Sequence, residues 1–146
     1  IIHGRLKTDR YTDPADWSRI TRAVNSVNIP VHGNGDAVDN ATIKQMRDET
    51  GCAGVMIGRG ALNNPWIFDE WANNTPRRSP SEFFKWLQLY AQRMADRDAT
   101  PTQVLGKLKQ AAKAMGPAGN IPFEHSLLRG NDFFGELKHL LSKDLA

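Results

Sequence analysis

The chain has 146 residues, 40% of them apolar and 24% charged, with a formal net charge of +3. This is the composition of an ordinary globular protein, long enough for one domain or two small ones. There is no run of about 18 apolar residues to cross a membrane and no charged-then-apolar leader, so the cytoplasm is the expected compartment. The single cysteine, Cys52, excludes an intrachain disulfide framework, and the four histidines stand at no metal-ligand spacing, so no metal site is expected.

In chain order, the opening Ile1-Ile2-His3-Gly4-Arg5 reads as the end of a strand, with His3 and Arg5 pointing the same way. At a carboxyl strand end both could reach a ligand; the plainer reading is a structural histidine and a surface arginine. Residues 6–12 form a polar loop that includes Tyr11. Asp13 followed by Pro14 has the form of a helix start, an N-cap with proline behind it. Trp17, Ile20, Ala23, Val24 and Val27 then recur at helical spacing. Ile29 to Val31 is the second strand, and it leads into Gly33-Asn34-Gly35-Asp36. Asp39 caps a second helix with Ile43 and Met46 inward and Gly51 at its end. Ala53 to Ile57 is the third strand, leading into Gly58-Arg59-Gly60. Cys52, at the entry to that strand, is expected to be a small packed hydrophobe.

The pattern to residue 60 is βαβαβ. Parallel strands with right-handed crossovers follow, and both glycine turns fall at carboxyl strand ends, where such folds bind ligands. Close backbone approach, exposed N–H groups and the fork of Arg59 favour a phosphate. Asn34 and Asp36 can orient hydroxyls or amide edges. Many phosphate-binding barrels would satisfy the same pattern, and the plainer alternative is a pair of tight turns with Arg59 as a surface charge. Three βα units do not close a barrel, which takes eight strands and about 250 residues. The chain is therefore expected to be the back part of a larger protein. Otherwise it should self-associate to cover its open sheet edges.

After Asn64-Pro65 comes the aromatic stretch Trp66-Ile67-Phe68-Asp69-Glu70-Trp71, with core packing expected for Trp66, Phe68 and Trp71. Residues 73–80 read as a linker by composition. Beyond it, a helix from Ser81 carries Phe83, Leu87, Tyr90 and Met94 on one side, and Arg93 and Arg97 would share a face. Thr100-Pro101 starts the next helix, with an apolar stripe from Val104 to Met115 and with Lys109 and Lys113 on its exposed side. Gly116 to Gly119 breaks that helix, a short turn over Phe123 to Leu128 follows, and a last helix runs from Asp132 to Leu145. This half is a bundle of three or four helices. Residues 1–75 hold eight Lys/Arg against nine Asp/Glu, while residues 76–146 hold eleven against seven. A basic helical half points weakly to an acidic partner such as nucleic acid, and equally to an ordinary solvated surface.

Four motifs in fixed order carry a resemblance. They are His3-Gly4-Arg5; Ile29-Pro30-Val31 with Asn34-Gly35-Asp36; the run from Thr50-Gly51-Cys52 through Gly54-Val55-Met56-Ile57-Gly58-Arg59-Gly60 to Ala61; and Asn64-Pro65-Trp66-Ile67-Phe68. Together they resemble the tRNA-dihydrouridine synthases, closely over the first half of the chain and only in type and position over the helical half. The resemblance implies an α/β plus all-α fold: the last three βα units of an FMN-binding TIM barrel at 1–72, a linker at 73–80, and a helical tRNA-binding domain at 81–146. It implies reduction of the C5–C6 double bond of uridine in tRNA, with FMN as cofactor and NADPH as reductant.

By the same resemblance His3, Asn34, Gly35, Asp36, Gly58 and Arg59 would hold FMN, and Arg5 would lie near the flavin or the target uracil. Arg77, Arg78, Arg93, Arg97, Lys107, Lys109 and Lys113 are the candidates for tRNA phosphate. In the family a cysteine protonates the uracil carbon that does not receive hydride. That cysteine, the flavin-contacting lysine and the first barrel strand lie upstream, and Cys52 does not match the cysteine's position. The catalytic set in this chain is therefore expected to be empty, and the chain alone inactive on uridine, with the missing front of the barrel as its partner. The alternatives are another FMN barrel acting on a small molecule, such as a dihydroorotate or ene reductase, or a non-catalytic RNA-binding module.

Overall fold

Three short parallel strands, β1 (Ile2–His3), β2 (His32–Asn34) and β3 (Gly54–Met56), lie side by side in that order in the computed structural model, which describes residues 1–10, 12–116, 121–122 and 124–143. Ile2 pairs with Gly33 and Gly33 with Val55, so the carboxyl ends of all three strands come level at His3, Asn34 and Met56. Crossover helices α1 (Ser18–Ser26) and α2 (Asn40–Thr50) link them. Helices α3 (Arg59–Asn63), α4 (Ile67–Asn73), α5 (Pro80–Ala95), α6 (Pro101–Met115), α7 (His125–Arg129) and α8 (Phe133–Lys143) follow. The chain divides into two compact units, Ile1–Ala61 with Pro65–Thr75, and Leu62–Asn64 with Pro76–Ala146. Three parallel strands with helical crossovers are compatible with part of a larger barrel.

In the first unit the core is Ile20, Ala37, Ile43, Met46, Cys52 and Ile67, with Trp17, Val24 and Trp71 packed against it. Ile20, Met46 and Ile67 are fully buried, each contributing about 1.5–3 kcal/mol relative to exposure. The ladder runs further along β2 than the apolar pattern predicts. It pairs His32 to Asn34, while Val31 contributes only its carbonyl, to Ala53 N–H at 2.8 Å. Gly33 is the reason: a Cβ there would sit 2.8 Å from Met46 Sδ, so glycine lets the strand pass directly over the core. Phe68 is exposed, contrary to expectation, and Ile67 and Glu70 fill the inward face of α4 instead.

α1 starts at Ser18, not behind Asp13-Pro14. Residues 13–16 are drawn away from helix geometry by long-range bonds: Asp16 N–H to the Gly4 carbonyl at 3.1 Å, and Ala15 N–H to Asp36 Oδ2 at 2.8 Å. α2 begins where expected, on a reciprocal capping box between Asp39 and Thr42, and Gly51 closes it by bonding the Arg47 carbonyl.

In the second unit α5 packs on α6 and α8, and α7 on α6 and α8. Phe83, Leu87, Leu108, Ala112, Leu127 and Leu137 are buried. α5 begins at Pro80, one residue earlier than Ser81, because Ser79 and Glu82 form a capping box. Thr100 and Gln103 do the same for α6. α5 ends at Ala95, which leaves Arg97 in the following turn and not on a helical face with Arg93. Asp98, at φ 61°, takes the left-handed place usual for glycine, and Ala99 N–H returns to the Met94 carbonyl at 3.1 Å. The expectations for Tyr11, for the break at 117–119, for Phe123 and for the final turn at 144–145 lie outside the described residues. Among the described residues no helix is long and apolar enough to cross a membrane.

Candidate functional site

A cavity of about 140 Å³ lies at the carboxyl ends of the three strands, lined by His3, residues 34–38, Met56 and residues 58–60. Six of the residues read as cofactor contacts, His3, Asn34, Gly35, Asp36, Gly58 and Arg59, therefore meet in one place. Gly60 accounts for the closeness of the two glycine turns. A Cβ there would lie 3.0 Å from Val38 Cα and 3.2 Å from the Ala37 carbonyl, so only glycine lets this segment press against residues 37–38. At Gly58, by contrast, an added Cβ would meet nothing within 4 Å.

The turn after β2 is held from behind. Gly35 has φ 118° and Asp36 φ 61°, both in the region that L side chains rarely adopt. A Cβ at Gly35 would sit 2.8 Å from Ala15 Cβ and 3.2 Å from His3 Cε1. The Asp36 carboxylate accepts from Arg5 Nη2 at 2.8 and 2.6 Å and from Ala15 N–H. Arg59 Nη2 is 3.8 Å from Oδ1 of the same carboxylate. Burial acts to raise the Asp36 pKa, but the hydrogen bonds from Arg5 and Ala15 and the charges of Arg5 and Arg59 outweigh it and hold the carboxyl below its ordinary value. The Trp17 indole N–H donates to the Gly35 carbonyl at 3.0 Å.

Each expected contact thus has a definite posture. His3 Nδ1 accepts the Arg5 backbone N–H at 2.9 Å, which puts the proton of a neutral imidazole on Nε2. Asn34 Nδ2 donates to the Met56 carbonyl at 2.8 Å, cross-linking the ends of β2 and β3 and leaving its Oδ1 as an acceptor. Arg59 is about half exposed at the cavity margin. Arg5, which the family resemblance puts near the flavin or the target uracil, has only 10% of its side chain exposed; Nε donates to the Asp13 carbonyl at 2.7 Å and Nη2 to Asp36. Its guanidinium braces the turn, and Arg5 is not among the residues that line the cavity.

Sequence reasoning missed Trp17 and Ala15 as supports of the turn. Trp17 reads as one more apolar residue of a helical stripe, and Ala15 acts only through its backbone. The asparagine, glycine and arginine of the site carried a chemical signal; these two carried none.

The cations proposed for nucleic acid are spread over the second unit. Arg77 and Arg78 precede α5, and Arg78 lies 3.6 Å from Glu82. Arg93 is in the last turn of α5, and Lys107, Lys109 and Lys113 are on α6. Lys107 Nζ reaches Gln110 at 3.4 Å.

Residues 1–127 match the family model for dihydrouridine synthases. The chain is 46% identical over 66 residues to a probable tRNA-dihydrouridine synthase of Rhodobacter capsulatus, which covers 45% of this chain and 20% of that protein. It is 35% identical over 99 residues to the tRNA-dihydrouridine(16) synthase of Haemophilus ducreyi, covering 67% and 30%. It is 40% identical over 79 residues to the NAD(P)+-designated tRNA-dihydrouridine(47) synthase of Cryptococcus neoformans, covering 47% and 11%. The chain therefore spans a third or less of the length of these relatives. With the family model extending from the first strand into α7, the chain belongs to the dihydrouridine synthase family.

Proposed function

We propose that this chain forms the phosphate end of the flavin site, together with the tRNA-binding helices, of an enzyme that reduces uridine to dihydrouridine in tRNA with FMN and NADPH. Residues 1–72 would belong to a TIM barrel and 81–146 to a helical tRNA-binding domain, joined through 73–80. One observation carries the reading: the cavity at the carboxyl strand ends, where two glycine turns, the half-exposed Arg59 and His3 converge. About 140 Å³ accepts a phosphate and the first ribityl carbons, and is below the about 300–1,000 Å³ of a pocket enclosing a whole ligand.

FMN, when bound, supplies the redox chemistry. The residues of this chain bind and orient. Backbone N–H groups of the 35–37 and 58–60 turns and the Arg59 fork receive the phosphate. Asn34 Oδ1 accepts from a ribityl hydroxyl, and His3 Nε2–H donates towards the ring system. Arg5 and the Asp36 carboxylate hold the turn in shape. No residue of this chain is assigned to proton transfer to uridine.

The test is a fluorescence titration of the chain with FMN and with riboflavin, which differ only by the phosphate. FMN should bind more tightly, and Arg59→Ala should remove most of the difference. Equal affinity of the parent chain for both flavins rejects the phosphate reading.

A further inference from the structure

Among the described residues, the Gly35–Asp36 peptide is gripped at its carbonyl. Trp17 Nε1–H holds the Gly35 carbonyl at 3.0 Å. In a trans peptide the carbonyl and the following N–H point in opposite directions, so the Asp36 N–H is turned away from Trp17. Gly35 and Asp36 line the cavity and Trp17 does not. The turn has a reason to depart from this arrangement. Asp36 sits at φ 61°, and rotation of the preceding peptide would return it to the favoured negative φ; Gly35, at φ 118°, tolerates either state. The indole hydrogen bond opposes that rotation, with the Asp36 side chain anchored by Arg5 and Ala15.

We propose that Trp17 is a positioning residue for anion binding: its indole N–H fixes the Gly35–Asp36 peptide so that the Asp36 N–H faces the phosphate held between the two glycine turns. This rests on the reading of the cavity as a phosphate subsite. A merely structural Trp17, filling space against the core of the first unit, would affect all ligands alike through stability. A positioning Trp17 affects the phosphate alone.

The decisive variant replaces Trp17 with 3-benzothienylalanine, which puts sulfur in place of the indole N–H and keeps the ring shape; Trp17→Phe is the second variant. Dissociation constants for FMN and riboflavin are measured by flavin fluorescence, and the Asp36 amide is followed by two-dimensional NMR during titration with inorganic phosphate. The expected result is FMN binding weakened about tenfold, the effect of one well-placed hydrogen bond, with riboflavin binding unchanged and the phosphate-induced Asp36 shift lost. An unchanged FMN-to-riboflavin ratio in the benzothienyl variant overturns the proposal. So does a parent chain that prefers FMN while its Asp36 amide ignores phosphate, and that outcome leaves the phosphate subsite standing. A parent chain that binds both flavins equally removes the subsite and this proposal with it.

Discussion

Asp36 is pulled two ways at the level of its own side chain. Burial favours its neutral form, while Arg5, the Ala15 N–H and Arg59 favour the carboxylate, and the carboxylate wins. A group whose folded pKa lies below its unfolded value stabilises the fold above the unfolded value, about 3.9, and that contribution disappears as pH falls through the folded pKa. Urea melts should therefore show the first unit losing stability below about pH 4, and Asp36→Asn should be less stable at neutral pH with a flatter acid limb. A variant whose acid limb matches the parent's would mean that the Arg5–Asp36 pair adds nothing. Gly35→Ala is harsher, because the backbone at φ 118° and the 2.8 Å approach to Ala15 both resist a Cβ. Strain of this kind costs roughly 1–3 kcal/mol, read as a lower denaturation midpoint. These residues also mark the limit of sequence reading. Asn34, Gly35, Asp36 and Arg59 announce themselves by type and spacing. The Arg5–Asp36 bond joins residues 31 apart, and no local pattern encodes it.

Two helix starts, at Asp39 and at Thr100-Pro101, are legible because a local bond decides them; Ser79-Pro80 carries the same signature but reads as linker by composition, with the helix placed from Ser81. Asp39, Ser79 and Thr100 each open a helix with a reciprocal capping box, and proline follows the cap in the last two. Replacing Thr100 with Ala should cost about 0.5–2 kcal/mol, measured by chemical denaturation of the helical signal, while Thr100→Ser should retain most of the stability. Asp13-Pro14 has the same signature and starts nothing. Its neighbours Ala15 and Asp16 find partners at Asp36 and Gly4, far off in sequence, and these outweigh a cap worth about 1 kcal/mol. β2 shows the same override: Gly33 reads as a turn residue by propensity, yet pairs in the ladder because the core beneath leaves no room for a side chain. Local chemistry set the helix starts, and packing reset the strand ends.

At the scale of the whole molecule the uneven charge becomes an argument about tRNA. The excess of Lys/Arg falls in residues 76–146, eleven against seven acidic residues, while the remainder is nearly balanced. Cations that meet phosphate release counterions, so affinity should fall linearly with salt on logarithmic axes, with a slope of about 0.7–0.9 per phosphate neutralised. The candidates are not equivalent. Arg78 is half-buried and faces Glu82 at 3.6 Å, so its charge is already partly offset. Arg93 and Lys113 are exposed on α5 and α6. Binding of the chain to unmodified tRNA, measured across a salt series, should show this slope. Arg93→Ala and Lys113→Ala should each weaken binding and shallow the slope by about one contact, and Arg78→Ala should do so less. Salt-independent binding, or equal effects at all three positions, would show that net charge alone had been mistaken for an interface. The sequence supplied the sign of this half and the residues that carry it; the Glu82 contact, set by where α5 begins, supplies their ranking.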